Sequence, residues 1–272
     1  MDFTIEKYKE LLEALKKHER FFLRHDVDLR PEFSLRVAQV EASMGIQATY
    51  YFRTVAESYD ENIIKEIVSL GHQAGYHYES LTTCKGDMEA AYEDFCRNLE
   101  RLRGLVPVST ACAHGSPRSP WNSQELFSSQ QVNKSTSLRV NKSTSQQVNR
   151  ATSQRVYDIH ALGIDYEPML DTDFSKTLYL TDTGRRWDGY KVSVRDKVPQ
   201  YQEQWEKEGL VFHSTDDIIH ALRNSEHPIH RKDLLINTHP QRWMPFEPQW
   251  VIEAGLQQAK NIAKLVIVKT RH

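Results

Sequence analysis

The sequence lacks the features that would direct it to a nucleic acid, a membrane or an oxidising compartment. Its 37 Asp and Glu nearly balance 35 Lys and Arg, so the net charge of −2 sets up no global field to recruit nucleic acid or anionic lipid. Cysteine is scarce. Cys84, Cys96 and Cys112 are too few and too scattered for a disulfide framework or a Cys-x-x-Cys zinc site, and their odd number leaves at least one thiol unpaired in a monomer. No run approaches the roughly 18–20 apolar residues that span a bilayer. The segment from Met1 to Lys7 has neither the basic stretch nor the apolar core of a secretory leader. The expectation is a soluble, cytoplasmic protein that neither binds nucleic acid nor inserts into a membrane.

What is present suits an ordinary folded domain. With 39% hydrophobic and 26% charged residues, the 272-residue chain can bury a sizeable core and fits one large α/β barrel or two small domains. One stretch stands apart. Residues 129–136, 137–144 and 145–152 repeat an eight-residue unit of the form Ser-Gln-Gln-Val-Asn-Lys-Ser-Thr, and 153–156 begin a fourth. One valine per eight residues cannot build a core, so 129–156 is expected to be a flexible inserted loop within a single domain spanning 1–272.

Outside the repeat, helices and strands alternate. Residues 4–17 place Ile5, Tyr8, Leu11, Leu12 and Leu15 on one helical face. Further helices are expected from Pro31 to Gly45, from Glu61 to Gly71, and from Asp87 to Arg103. Two more should begin near Thr215 or Asp216 and near Gln249. Strands are expected at Phe21–Leu23, Ala48–Phe52, Gln73–Tyr78, Val108–Ala113, Thr177–Leu180, Val211–Phe212 and Leu234–Asn237. Such alternation implies a mainly parallel sheet, and this many units favours a barrel.

Position then singles out the chemistry. Asp26 and Asp28 follow the first strand, His77 and Glu79 the third, His114 the fourth, Asp182 the Leu178–Leu180 run, and His239 the last. In a parallel barrel the strand ends share one rim, so these groups converge there. Alternate residues of an extended chain face the same side, which puts Asp26 and Asp28 together. Like charges that close repel, unless a metal takes one and leaves the other as a base. Carboxylate and imidazole suit zinc and other borderline divalent metals, and an uncoordinated His could protonate a leaving group. Two blander roles compete: Asp26 and Asp28 as caps for the helix at Pro31, and Trp187 as a packing anchor.

The segments Arg24-His25-Asp26-Val27-Asp28, Gly71–Ser80, Ala113-His114-Gly115-Ser116-Pro117 and Asn237-Thr238-His239-Pro240 resemble, in order and spacing, the motif series of the polysaccharide deacetylase family, carbohydrate esterase family 4. The closest likeness is to a prokaryotic branch linked to surface-polysaccharide biosynthesis. The resemblance implies a distorted (β/α) barrel of about seven parallel strands and metal-dependent removal of an N-acetyl group from a soluble or carrier-linked sugar. It casts Asp26 as catalytic base, His239 as general acid, and Asp28 and His77 as metal ligands. Leu81 stands where the family places a second histidine, so the third ligand is expected to be His114 or Glu79. Charge favours His114, because two carboxylates would neutralise a divalent ion. The loop carrying Asp182, Arg186 and Trp187, together with Trp243, is expected to form a sugar subsite. A cyclic-amide hydrolase and a non-catalytic glycan-binding relative are the alternatives.

Deleting residues 129–152 is expected to leave the melting temperature and turnover nearly unchanged, since loop closure costs only about 0.6 kcal/mol per doubling of length. A large fall in either would show that the repeat packs on the barrel.

Overall fold

A computed structural model of the chain describes residues 1–116, 119–128, 157–191, 193 and 195–270. The expected repeat loop at 129–156 and the motif residue Pro117 lie outside them. The order of elements is α1 (Ile5–Leu15), β1 (Phe21–Val27), α2 (Pro31–Ser43), β2 (Thr49–Phe52), α3 (Glu61–Ser69), β3 (Gln73–Tyr78), α4 (Ser80–Thr83), α5 (Met88–Arg103) and β4 (Ala111–Ala113). Then come α6 (Pro168–Asp171), β5 (Thr177–Thr181), α7 (Pro199–Lys207), α8 (Thr215–Arg223), β6 (Asp233–Thr238) and α9 (Pro248–Thr270). Among the described residues, no helix is long and apolar enough to cross a membrane.

Local chemistry explains most boundaries. Thr4 caps α1 by accepting from Lys7 N, and Tyr8, Leu11, Leu12 and Leu15 form its buried face. Pro31 occupies the first turn of α2, where its missing N–H costs nothing. Asp60 and Asp87 cap α3 and α5, and Ser214 with Asp217 closes a capping box on α8. The residue capping α2 is Arg30, with no side-chain cap, so Asp26 and Asp28 are free for other work.

Among the described residues six strands form one sheet, all parallel, in the order β4-β3-β2-β1-β6-β5. This is an α/β fold whose sheet is rolled. Tyr166, bridged to Thr110 at the outer edge of β4, lies four strand spacings from β1, roughly 19 Å on a flat sheet. Its ring nevertheless sits 5.7 Å from that of Phe22 on β1. A partial barrel brings them together. The expected strand at Val211–Phe212 is instead an unpaired connection between α7 and α8, with Phe212 buried in the core. A two-residue apolar run can be satisfied by packing as well as by pairing. The early end of the fourth run, near Val108, also stays outside β4.

The two faces of β1 divide cleanly. Arg24 and Asp26 point into the barrel, while His25 points out toward α2. There Glu41, fully buried, accepts hydrogen bonds from Tyr8 and Tyr50 (2.6 Å for the latter), and His25 Nε2 lies 2.7 Å from it. His25 Nδ1 pairs with Thr238 Oγ1 at 2.7 Å, which ties β1 to the end of β6 next to His239. On the inner face, Gly75 leaves room for Tyr51, because a Cβ there would come within 2.5 Å of its ring.

Burial by itself would raise the Glu41 carboxyl, but the His25 imidazole and the hydroxyls of Tyr50 and Tyr8 outweigh it and hold it below its ordinary value. A folded-state carboxyl that is depressed contributes stability above the unfolded value, and that contribution disappears as pH falls through the carboxylate range. Glu41→Ala is therefore expected to cost about 3–5 kcal/mol in denaturant unfolding at pH 7, with the gap from wild type narrowing below about pH 4.5. A loss under about 1 kcal/mol at pH 7 would contradict the network's role.

Candidate active site

The parallel register delivers six strand ends to one rim. Asp26 lies inside β1 near its end and Asp28 just beyond it; His77 lies in β3, while His114, Asp182 and His239 follow β4, β5 and β6. Asp26, Asp28, His77, His114 and His239 all line a cleft of about 590 Å³.

Three of these side chains form a tight triangle. Asp28 Oδ1 lies 3.2 Å from His114 Nδ1 and 3.6 Å from His77 Nε2, and the two imidazole nitrogens are 3.1 Å apart. His77 Nδ1 hydrogen-bonds Cys112 O at 3.0 Å, a backbone acceptor that places a proton on Nδ1 and turns Nε2 toward Asp28. Burial would raise the Asp28 carboxyl, but the imidazoles of His114, His77 and His239 outweigh it and hold it far below the carboxylate range. Asp28 Oδ1 is nonetheless buried with no hydrogen-bond donor. An orphaned carboxylate oxygen facing two imidazole nitrogens fits a cation. Ligands about 2.0–2.1 Å from a tetrahedral ion stand about 3.3 Å from one another, which the three separations bracket. Asp28, His77 and His114 are the group that could hold a metal among the described residues.

Glu79 takes no part. It accepts from Arg53 Nε at 2.9 Å and Arg53 Nη2 at 2.6 Å, and the same guanidinium donates to Asp28 O at 3.1 Å. Its charge is spent on Arg53, which in turn steadies the backbone under Asp28. Leu81, where a histidine was missed, is buried in the core.

Asp26 stands beside the triangle, with Oδ2 3.8 Å from His77 Nε2. Arg24 grips it in two parallel bonds of 2.8 and 2.7 Å, and Asn237 Nδ2 adds a third at 2.9 Å. Burial opposes ionisation here as well, but Arg24 and then His77 overcome it, so the group is held firmly as a carboxylate. Arg24 was visible in the sequence as the residue two before Asp26, hence on the same strand face. Asn237 carries no such local signal, since it reaches Asp26 only because β6 pairs with β1.

Across the cleft, His239 Nε2 lies 3.7 Å from Asp28 Oδ2. Its Nδ1 donates to Asp182 Oδ1 at 2.6 Å, and its backbone N donates to Asp182 Oδ2 at 3.0 Å. Asp182 also accepts from Arg242 Nη1 at 2.5 Å and Trp243 Nε1 at 2.8 Å. With four donors and no exposure, Asp182 orients the histidine rather than meeting a ligand.

The expected sugar subsite is corrected by this placement. Trp243 is 1% and Trp187 5% exposed; the first packs on Tyr8 and Phe3, and the second donates Nε1 to Thr215 Oγ1 at 2.9 Å. Arg186 is clamped to Asp188. None of Asp182, Arg186, Trp187 and Trp243 lines the cleft. An indole gains more from burial with its N–H satisfied than from an exposed face, and both tryptophans follow that rule.

Comparison with protein-family models, with curated proteins and with solved structures finds no match to this chain. The site therefore has to be read from its own geometry.

Arg24→Met is expected to destabilise the fold by about 3–5 kcal/mol, because it strands a buried carboxylate. Arg24→Lys should recover only part of that, since an ammonium cannot make the paired grip. Urea unfolding measures both, and a lysine variant as stable as wild type would show that charge alone suffices.

Proposed function

We propose that the chain is a metal-dependent hydrolase of the polysaccharide-deacetylase type, removing an N-acetyl group from a sugar. The observation that carries this reading is the Asp28–His77–His114 triangle, flanked in one cleft by an ionised carboxylate and a carboxylate-held histidine. The donor set suits zinc, and three protein ligands would leave an open position for chemistry. A divalent ion there would supply a Lewis acid that polarises the amide carbonyl and acidifies water.

The chain's own residues account for the protons. Asp26, kept ionised by Arg24 and oriented by Asn237, accepts a proton from the attacking water. His239, whose Nδ1–H is fixed on Asp182, presents Nε2 to the cleft and donates a proton to the departing nitrogen as the C–N bond breaks. Acetate and a free amino sugar leave. Asp182 stabilises the charged imidazole without itself meeting substrate. The cytoplasmic setting expected from composition belongs to the same proposal, with soluble or carrier-linked sugar as substrate.

Three variants test the assignment. Asp28→Ala and His114→Ala should each lose metal, measured by atomic spectroscopy on protein purified without chelator, while Glu79→Gln keeps it. Asp26→Asn should keep metal yet lose acetate release by about 10²-fold or more. Full metal content in His114→Ala, or wild-type acetate release from Asp26→Asn, would overturn the roles. Ring opening of a cyclic amide without acetate would assign the same machinery to another substrate.

A further inference from the structure

The cleft is far more cationic than the molecule that contains it. The chain carries a net −2, yet seven Lys and Arg line the cleft against four Asp and Glu. Two of those four carboxylates, Asp26 and Asp28, belong to the reacting centre. The other two are engaged: Asp196 accepts from Thr181 Oγ1 at 2.7 Å, and Glu253 pairs with Arg30 at 3.3 Å. Arg24 answers Asp26 and Arg242 is bonded to Asp182, but hydrolysis of a neutral N-acetyl sugar gives no task to Arg185 or Lys260.

Arg185 is the sharpest instance. It follows Gly184 in a loop where both residues are left-handed, φ 79° for the glycine and 54° for the arginine. A non-glycine residue is rarely held there, and such strain persists where the surroundings enforce it. Here Asn261 on α9 donates to Gly184 O at 2.8 Å and would sit 3.0 Å from any Cβ on that glycine. The Arg185 guanidinium stacks 4.5 Å from the Trp250 ring centre, and its Nη1 and Nη2 are buried with no hydrogen-bond acceptor. Burial, and after it the charge of nearby Arg242, disfavour this cation. The carboxylates of Asp182, Glu253 and Asp2 offset this only in part and accept no bond from Nη1 or Nη2, so the guanidinium is costly there unless an anion completes it. Arg30 and Lys260 line the same cleft, and Lys260 makes no ion pair among the described residues.

We infer that this wall of the cleft is an anion subsite, and that the substrate is an N-acetylated sugar bearing a phosphate or diphosphate, held by Arg185 and Arg242 with Lys260. The identification of the sugar rests on the deacetylase reading; the anion subsite stands without it. A carboxylate needs one guanidinium, whereas several cations around one wall suit the larger charge and diverging oxygens of a diphosphate. The diphosphate could arrive on a nucleotide or on a lipid carrier. Both sources share the group that the cations recognise. α9, which turns Gln257 and Lys260 to the cleft, leaves Ile252 and Leu256 exposed on its surface, so the lipid form has to be tested beside the nucleotide.

The experiment is calorimetric titration of the full chain, as purified, with inorganic pyrophosphate. Saturable binding is expected at or below about 1 mM, weakening as salt rises. Arg185→Gln should weaken it about tenfold, and the surface change Lys260→Gln about two- to threefold, while Asp28→Ala retains it. The lysine variant keeps the test sharp if the arginine variant folds poorly. Uridine diphosphate and geranyl diphosphate distinguish the sources: tighter binding of either names the carrier, and equal binding shows that the diphosphate alone is recognised. Binding that is absent at about 10 mM, unchanged in both cation variants, or lost in Asp28→Ala would overturn the subsite. Acetate release is measured separately, so pyrophosphate binding without deacetylation would sink the deacetylase reading and spare the subsite, and the converse would do the reverse.

Discussion

Two carboxylates two residues apart at one strand end can share a cleft only if each has its own partner, a cation or a set of groups that can share it with a metal. On β1 that condition is met in two different ways. Asp26 is neutralised by Arg24 from the same strand face, a pairing that alternation makes almost unavoidable once both residues are extended. Asp28 is surrounded by imidazoles delivered from β3, β4 and β6, groups that can share it with a metal. The asymmetry is what gives the pair separate tasks. One carboxylate is locked as a charged hydrogen-bond acceptor, and the other keeps an oxygen without a donor.

The same strand anchors this arrangement from behind. His25, between Arg24 and Asp26, turns outward to Glu41 and Thr238, so the alternation that loads the cleft also ties β1 to α2 and β6. Asp182 does comparable work for His239 at the end of β5. In each case a buried carboxylate saturated with donors holds an imidazole in a fixed orientation. Such networks are costly when partly satisfied and rigid when complete, which suits groups whose separations must hold to within a few tenths of an ångström. The tryptophans at 187 and 243 belong to this supporting layer.

How far the site could be read in advance depended on the separation of the partners. Asp26, Asp28, His77, His114 and His239 were legible because strand-end positions in a parallel sheet share one rim whatever the details of packing. Arg24 was missed, although alternation places it on the strand face of Asp26. Asn237 and Arg53 acquired their roles through neighbours distant in the chain, and no local pattern distinguishes them. Trp187 and Trp243 were misplaced because an indole beside polar residues looks the same in sequence whether it faces solvent or core. Val211 and Phe212 were taken for a strand because a short apolar run meets the demands of pairing and of packing equally well.

The sequence by itself determined the alternation of helices and strands, the parallel sense of the sheet and the identity of the groups at its rim, since these follow from periodicity, caps and turn residues acting over a few positions. Only the tertiary structure decided that the described residues form a rolled sheet of six strands, that Glu79 is occupied by Arg53 while His114 faces Asp28, and that Arg185, Arg242 and Lys260 line the same cleft. Each of these is a matter of distances between residues tens of positions apart. They are settled by strand order and side-chain packing rather than by any local preference of the chain.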